Sequence, residues 1–150
     1  MTACKMNTLT ILVGLPRSGK STWTEINKSD RVVISADRLR YRVYGQRFFG
    51  EGEPMLWAIR GILLEELLSQ GLNIIVDETN TTKARREPII KLAKKHGYYV
   101  EVIEVATSKG ECIRRAMNEK DGAIIPVIER MAAQYEPPLE AEGIGVVIKI

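Results

Sequence analysis

The sequence is poor in the residues that form disulfides or bind metals through sulfur and imidazole. Its 150 residues include two cysteines, Cys4 and Cys112, and one histidine. Two cysteines do not make a disulfide framework, and no Cys or His accompanies them at a metal-ligand spacing. The composition therefore excludes a disulfide-rich scaffold and predicts a reduced, intracellular chain.

Long apolar runs are also missing from the sequence. No stretch approaches the ~18 apolar residues of a membrane span. The N-terminal stretch MTACKMNTLTILVG lacks the apolar core and the cleavage site of a secretory signal. We therefore expect a cytoplasmic protein with no membrane partner.

Charge of one sign is not in large excess. The chain carries 22 Lys and Arg against 19 Asp and Glu, a net charge of +3, which permits an anionic partner without requiring one. The length suits one folding unit, so we expect a single domain over residues 1–150.

Apolar periodicity predicts strands and helices in alternation. Buried strands are expected to begin near Leu9, Arg31, Asn73, Tyr98 and Gly145. One helix is expected over 54–71, with an apolar stripe at Leu56, Ile59, Leu63 and Leu67, and others over 83–95, 109–118 and 126–135. The alternation predicts an α/β sandwich with a mostly parallel five-stranded sheet, whose ligands bind at the carboxyl ends of the strands.

A phosphate-binding motif, G-x-x-x-x-G-K-[ST], lies between the first predicted strand and the first helix. Its glycines let backbone N–H groups close around phosphate oxygens, and the helix N-terminus adds its positive dipole end. Lys20 is expected to reach the β- and γ-phosphates of ATP, the Ser21 hydroxyl to ligate Mg²⁺, and Thr22 to lie near the α-phosphate. The predicted nucleotide-binding residues are Gly14, Leu15, Pro16, Arg17, Ser18, Gly19, Lys20, Ser21 and Thr22.

A metal-site carboxylate is expected at the end of another strand, and NIIVDETN offers Asp77 there. Asp77 would hold a metal-bound water. The alternative is helix capping by the DETNTT segment before the helix that begins near Lys83. The neighbouring acid, Glu78, is a second candidate for the functional carboxylate.

Asp37 stands just beyond the second predicted strand, on the expected ligand-binding edge. A carboxylate at this place can accept a hydroxyl proton and orient the oxygen toward the γ-phosphate. Arg40, three residues further along a helix, can face the same way and bind an acceptor phosphate. Alternatively, Asp37 caps the helix and Arg40 is solvated.

The stretch from 38 to 49 interleaves basic and aromatic side chains. Such a pattern can form a nucleic-acid surface, with arginines on phosphates and rings on bases. A solvated arginine face and core aromatics are the alternative. The residues are Arg38, Arg40, Tyr41, Arg42, Tyr44, Arg47, Phe48 and Phe49.

Four segments together resemble the 5′-hydroxyl polynucleotide kinases of the phage T4 type and their bacterial relatives. They are GLPRSGKSTW, the Asp37-x-x-Arg40 pair, DETNTTKARR and NEKDGAIIP, in family order over residues 9–135. The resemblance implies a P-loop kinase sandwich with strand order 2-3-1-4-5 and a small helical lid. It also implies Asp37 as the general base on the 5′-OH of DNA or RNA, and Arg40 as a contact to the acceptor's 3′ phosphate.

The lid departs from the family pattern. Arginines expected beside Asn118 and before Gly122 are replaced by Met117 and Asp121. Arg115, which we favour, would take the role of stabilising transition-state charge; the other candidates are Arg114 and Lys120. The alternative for all three is a solvated helix face.

The sequence therefore predicts an ATP- and Mg²⁺-dependent kinase acting on the 5′-OH end of DNA or RNA. One alternative is a P-loop kinase for a small hydroxylated molecule such as a nucleoside, sugar or antibiotic. A second is a nucleotide-binding module that transfers no phosphate.

Overall fold

A five-stranded parallel sheet forms the centre of the protein, in a computed structural model that describes residues 6–150. Cys4 lies outside the described residues. The strand order β2-β3-β1-β4-β5 confirms the expected order, and every pairing is parallel. The strands are β1 (Thr8–Val13), β2 (Val32–Ile34), β3 (Ile74–Val76), β4 (Tyr99–Glu104) and β5 (Val146–Lys149).

Helices connect the strands and lie against the sheet, as parallel connections require. They are α1 (Lys20–Asn27), α2 (Ala36–Tyr44), α3 (Glu53–Ser69), α4 (Lys83–Lys95), α5 (Lys109–Asn118) and α6 (Ile125–Ala133). Short 3₁₀ turns follow at Gly50–Gly52, Gly122–Ile124 and Glu140–Glu142. The helices predicted over 83–95 and 109–118 are confirmed with these bounds, and those predicted over 54–71 and 126–135 are confirmed with their ends moved by one or two residues.

The apolar stripe of α3 differs from the prediction. Leu56 is buried as expected, but the other fully buried leucines are Leu64 and Leu68, while Leu63 and Leu67 are only partly buried. Ile59 is also half-buried. The run ILLEELL carries adjacent leucines at both positions, so helical spacing alone did not decide which of each pair faces the sheet.

Two smaller apolar clusters position the loop that follows β1. Leu12 packs with Ile75 and Ile103 on one side of the sheet. Leu15, within the loop, packs with buried residues of α5 and α6, namely Cys112, Ala116 and Ile128. The loop after β1 is therefore fixed between the sheet edge and this helical pair, which occupies the place of the predicted lid.

Within residues 6–150, none of the helices is both long enough and apolar enough to cross a membrane.

Candidate active site

Glycines shape the turn between β1 and α1. A Cβ atom on Gly14 would lie 2.7 Å from Ser18 Oγ and 2.9 Å from the Val105 carbonyl oxygen, too close for any side chain. Gly19 adopts a φ of 106°, in the left-handed region that favours glycine, as it caps α1. The loop therefore fits closely against its surroundings and leads directly into the N-terminus of α1, as a phosphate-binding loop requires.

The segment after β3 is hydrogen-bonded directly to this loop. The Gly14 amide donates to the Thr79 carbonyl oxygen at 3.0 Å, and the Asn80 side-chain amide donates to the Leu12 carbonyl oxygen at 3.0 Å. Asn80 is buried. These bonds place the carboxyl end of β3, and with it Asp77, beside the phosphate-binding loop.

The Lys20 side chain lies inside the loop and is 8% exposed. Its Nζ atom donates to the Leu15 carbonyl oxygen at 2.7 Å and to Ser18 Oγ at 3.3 Å. Burial lowers the pKa of Lys20 to about 8, and the negative charge of Asp77 opposes that shift. The ammonium group therefore remains largely charged at neutral pH and is surrounded by the loop's oxygen atoms.

Ser21 and Asp77 meet at the position predicted for Mg²⁺. Ser21 Oγ donates to Asp77 Oδ2 at 3.1 Å, and Asp77 is 6% exposed. Burial raises the pKa of Asp77, while the Ser21 hydrogen bond and then the Lys20 charge oppose this. A hydroxyl and a carboxylate are the oxygen donors that Mg²⁺ prefers, so the pair fits the metal.

The other ligands of such an ion would be waters and phosphate oxygens. Among residues 6–150, no group of three or more His, Cys, Asp or Glu side chains is arranged to hold a metal ion. Magnesium in nucleotide sites commonly uses only one or two protein ligands.

The two adjacent acids after β3 face different partners. The Glu78 carboxylate accepts from Arg60 of α3, at 2.7 Å from Nη2 and 3.1 Å from Nε. Both side chains are nearly buried, at 7% and 11% exposure. The cap of α4 is Thr82, whose side chain accepts from the Arg85 amide, so Asp77 is not that cap.

Asp37 and Arg40 face the same side of α2, as predicted. Arg40 Nη1 donates to Asp37 Oδ1 at 2.7 Å, while Nε and Nη2 donate to the two carboxylate oxygens of Glu53 at 3.0 and 2.8 Å. The Asp37 side chain is 77% exposed and that of Arg40 is 14% exposed. Ser35 accepts from the Arg38 amide and caps the helix, so the capping alternative for Asp37 is wrong.

The basic and aromatic stretch from 38 to 49 is largely committed to intramolecular contacts. Arg38 pairs with Glu25 at 2.6 Å, and Tyr44 packs edge-on against Phe49 with ring centroids 5.1 Å apart. Within the described part of the chain, Arg42 is the one arginine of this stretch without an ion pair. The stretch therefore does not present a row of free arginines.

Of the three lid candidates, Arg115 lies against the phosphate-binding loop. Its Nη1 atom donates to the carbonyl oxygens of Arg17 and Ser18, at 3.1 and 3.2 Å. Arg114 is 60% exposed and binds Glu111, and Lys120 is exposed at a left-handed φ of 56°. The geometry thus brings Arg115, not its neighbour, to the site.

Asp121 connects three parts of the site, which the sequence did not predict. Its carboxylate accepts from Arg47 at 2.7 and 2.8 Å and from Arg17 of the phosphate-binding loop. The Arg47 hydrogen bonds, and then those of Arg17, lower the pKa of Asp121 to about 2. The resemblance to polynucleotide kinases implies an arginine near this position, whereas this chain has a carboxylate that binds two arginines.

Trp57 is a second feature that the sequence reasoning missed. Guanidinium groups from three helices lie over its ring, with Cζ to centroid distances of 5.7 Å for Arg40, 5.8 Å for Arg60 and 5.1 Å for Arg85. The Trp-x-x-Arg spacing on α3 signals the Arg60 contact, because residues three apart are neighbours on a helix. The other two contacts depend on tertiary packing.

Comparison with known proteins places this geometry in a family. A family model described as an AAA domain matches residues 9–138. An L-seryl-tRNA(Sec) kinase of Methanococcus maripaludis is 26% identical over 141 residues, which cover 87% of this chain and 53% of that protein.

Two solved structures share the fold. The Pnkp1/Rnl/Hen1 RNA repair complex contains a chain that matches with a TM-score of 0.68 and 16% identity, covering 90% of this chain and 48% of that one. The Mycobacterium tuberculosis APS kinase CysC, in complex with AMPPNP and APS, matches with a TM-score of 0.69 and 16% identity, covering 96% and 88% of the two chains.

This chain spans about half the length of the seryl-tRNA(Sec) kinase and of the RNA repair protein. The family match covers most of the sequence, including the phosphate-binding loop and the helices α5 and α6. The chain belongs to the AAA domain family, and its fold is that of the P-loop kinases.

Proposed function

We propose that this protein, as a single domain of residues 1–150, is an ATP- and Mg²⁺-dependent kinase that phosphorylates the 5′-OH end of DNA or RNA. The observation that carries the proposal is the Asp37–Arg40 pair, 2.7 Å apart, directly after β2. Parallel strands bring their carboxyl ends to one edge of a sheet, so this pair shares its edge with the phosphate-binding loop after β1. An exposed carboxylate beside a fixed guanidinium suits a hydroxyl next to a phosphate.

On the donor side, the loop amides and Lys20 bind the triphosphate, and Ser21 and Asp77 hold the metal. Lys20 Nζ exchanges its bonds to Leu15 and Ser18 for phosphate oxygens. Mg²⁺ held by Ser21 and Asp77 would supply positive charge that stabilises the transferred phosphoryl group.

On the acceptor side, Asp37 accepts the proton of the 5′-OH as its oxygen forms a bond to the γ-phosphorus. The bond from that phosphorus to the β–γ bridging oxygen breaks, and ADP leaves. Arg40 still has two N–H donors beyond those bound to Asp37 and Glu53, and these bind the acceptor phosphate. Arg115 stabilises the charge that develops on the transferred group.

A nucleic-acid acceptor is supported from two directions. The resemblance over residues 9–135 is to polynucleotide kinases. The names of two similar proteins refer to RNA: one is a seryl-tRNA(Sec) kinase, and the other is a chain of an RNA repair complex.

A P-loop kinase for a small hydroxylated molecule, such as a nucleoside, sugar or antibiotic, is the alternative. The APS kinase matches over 88% of its own length, and an Asp beside an Arg also suits any small acceptor that carries phosphate. A module that binds nucleotide without transfer is the second alternative, favoured by Met117 and Asp121 in the lid.

Labelled ATP offered with separate acceptors distinguishes these functions. We expect transfer to a 5′-OH oligonucleotide and none to the same oligonucleotide carrying a 5′ phosphate. Raising the salt concentration should steeply lower the affinity for a polymer acceptor and hardly change the affinity for a neutral nucleoside or sugar. Preferred transfer to a small acceptor would select the first alternative, and ATP binding without any product would select the second.

A further inference from the structure

The three arginines around Trp57 differ in what else they bind. Arg40 is engaged by Glu53 and Asp37, and Arg60 is engaged by Glu78. Arg85 is exposed, and among residues 6–150 no carboxylate pairs with its side chain. Its guanidinium lies 5.1 Å from the Trp57 centroid, nearer than either of the others.

A guanidinium stacked on an indole ring loses rotamer freedom before any ligand arrives. The ring holds the cation in place, and the planar group keeps its N–H donors free at its edge. An arginine that is oriented, exposed and unpaired is suited to bind a phosphate, because less entropy is lost on binding.

Trp57 also connects Arg85 to the proposed reaction centre. The same ring lies 5.7 Å from the Cζ of Arg40, and Arg40 binds Asp37 at 2.7 Å. The order along this surface is therefore Asp37, Arg40, Trp57 and Arg85. A strand with its 5′-OH at Asp37 and its first phosphate at Arg40 would continue toward Trp57 and Arg85.

We propose that Arg85, positioned by Trp57, binds the second phosphate of the acceptor strand. This inference rests on the proposed function, since only a polynucleotide has such a phosphate. The affinity for the acceptor then depends on its length. An acceptor with one phosphate contacts Arg40 alone, and a longer strand contacts both arginines.

The test measures binding, so that it does not depend on transfer. A fluorescein-labelled, single-stranded 5′-OH DNA oligonucleotide is titrated by anisotropy over a range of salt concentrations. We expect Arg85→Ala to bind it about tenfold more weakly and to lower the slope of log K against log salt by about 0.7, the value for one lost phosphate contact. Arg85→Lys should keep the slope, because the charge remains.

Arg130→Ala is the matched control, because Arg130 is also exposed and forms no ion pair within the described residues. It should leave both affinity and slope as in the unmodified protein. Trp57→Phe should retain most of the affinity for the oligonucleotide, because it keeps an aromatic ring. Trp57→Leu should lose as much affinity as Arg85→Ala. A nucleoside 3′-monophosphate should bind the unmodified protein and Arg85→Ala equally well.

The outcomes separate this inference from the proposed function. Oligonucleotide binding that depends on Arg85, without any phosphate transfer, would support the second phosphate site and overturn the kinase assignment. Phosphate transfer by the unmodified protein, together with an unchanged affinity and salt slope in Arg85→Ala, would support the kinase assignment and overturn the second phosphate site. Failure of the unmodified protein to bind this DNA oligonucleotide and an RNA oligonucleotide of the same sequence would overturn both.

Discussion

Arg40 lies between two carboxylates, donating to Asp37 at 2.7 Å and to both oxygens of Glu53. Glu53 begins α3, so this contact joins the start of α3 to the middle of α2. Because Glu53 is 20% exposed and Asp37 is 77% exposed, Glu53 anchors the arginine and Asp37 faces the solvent. Arg40 is thereby held by Glu53 while its Nη1 atom reaches the exposed carboxylate of Asp37.

Loss of the Glu53 anchor should affect only acceptors that bear a phosphate. We expect Glu53→Gln to raise the KM for such an acceptor about tenfold, because the Arg40 guanidinium loses a charged bidentate partner. The KM for an acceptor without phosphate should not change. Glu51→Gln, at an exposed position two residues earlier, is the control, and an equal rise for both acceptors would remove Arg40 from the acceptor site.

Substitutions of the two acids after β3 should have different effects, one on the Mg²⁺ requirement and the other on stability. We expect Asp77→Asn to raise the Mg²⁺ concentration for half-maximal activity about tenfold or more, with little loss of stability, since burial already disfavours its charge. Glu78→Gln should leave the Mg²⁺ requirement unchanged and lower the free energy of unfolding by about 3 kcal/mol, because Arg60 loses its nearly buried counterion. Magnesium titrations and urea unfolding measure the two effects; the opposite assignment of effects would refute this division of roles.

The neighbouring arginines of α5 provide a matched pair. Arg115→Ala should lower kcat about 100-fold, because its guanidinium lies on the phosphate-binding loop. Arg114→Ala should change kcat little, since Arg114 is an exposed residue whose salt bridge is to Glu111. Steady-state kinetics with saturating ATP compare them, and equal losses would deny Arg115 its role in transfer.

The Asp121 carboxylate should stabilise the fold in a pH-dependent way. Arg47 and Arg17 hold its pKa at about 2, below the usual ~3.9. Its ionised form therefore contributes stability above about pH 4, and the contribution is lost as pH falls toward about 2. Asp121→Asn should unfold at lower urea than the unmodified protein at pH 7.

The two unfolding curves should converge near pH 2. Asp30→Asn, at an exposed position without an ion pair in the described residues, should match the unmodified protein at every pH. A difference for Asp121→Asn that stays constant from pH 7 to pH 2 would show that its charge is not the cause.

Much of the fold follows from local sequence patterns. Short apolar runs separated by helical periodicity predicted the strands, and the loop motif fixed the sheet edge where ligands bind. Local patterns did not decide between Leu63 and Leu64, or between Asp77 and Glu78. In each case the two candidates are adjacent in the sequence. Their roles differ because of the residues that they contact in the fold, such as Ser21 for Asp77 and Arg60 for Glu78.

The contacts that the sequence did not predict join distant segments. Asp121 meets Arg47 across 74 positions of the chain, and Arg85 reaches Trp57 from another helix. No periodicity encodes such pairs, because each depends on how segments far apart in the chain are placed by the sheet. The Asp37–Arg40 pair was predictable because both residues lie on one helix turn.

The proposed kinase activity is tested by the transfer of labelled γ-phosphate to a 5′-OH oligonucleotide by the unmodified protein and by Asp37→Asn. Asp30→Asn serves as the control, and ATP binding is measured for each. We predict label on the 5′ end, a loss of about 10²- to 10⁴-fold in Asp37→Asn with ATP binding retained, and no loss in Asp30→Asn. No label on the oligonucleotide would contradict the kinase activity, and equal rates for Asp37→Asn and the unmodified protein would contradict the role of Asp37 as its base.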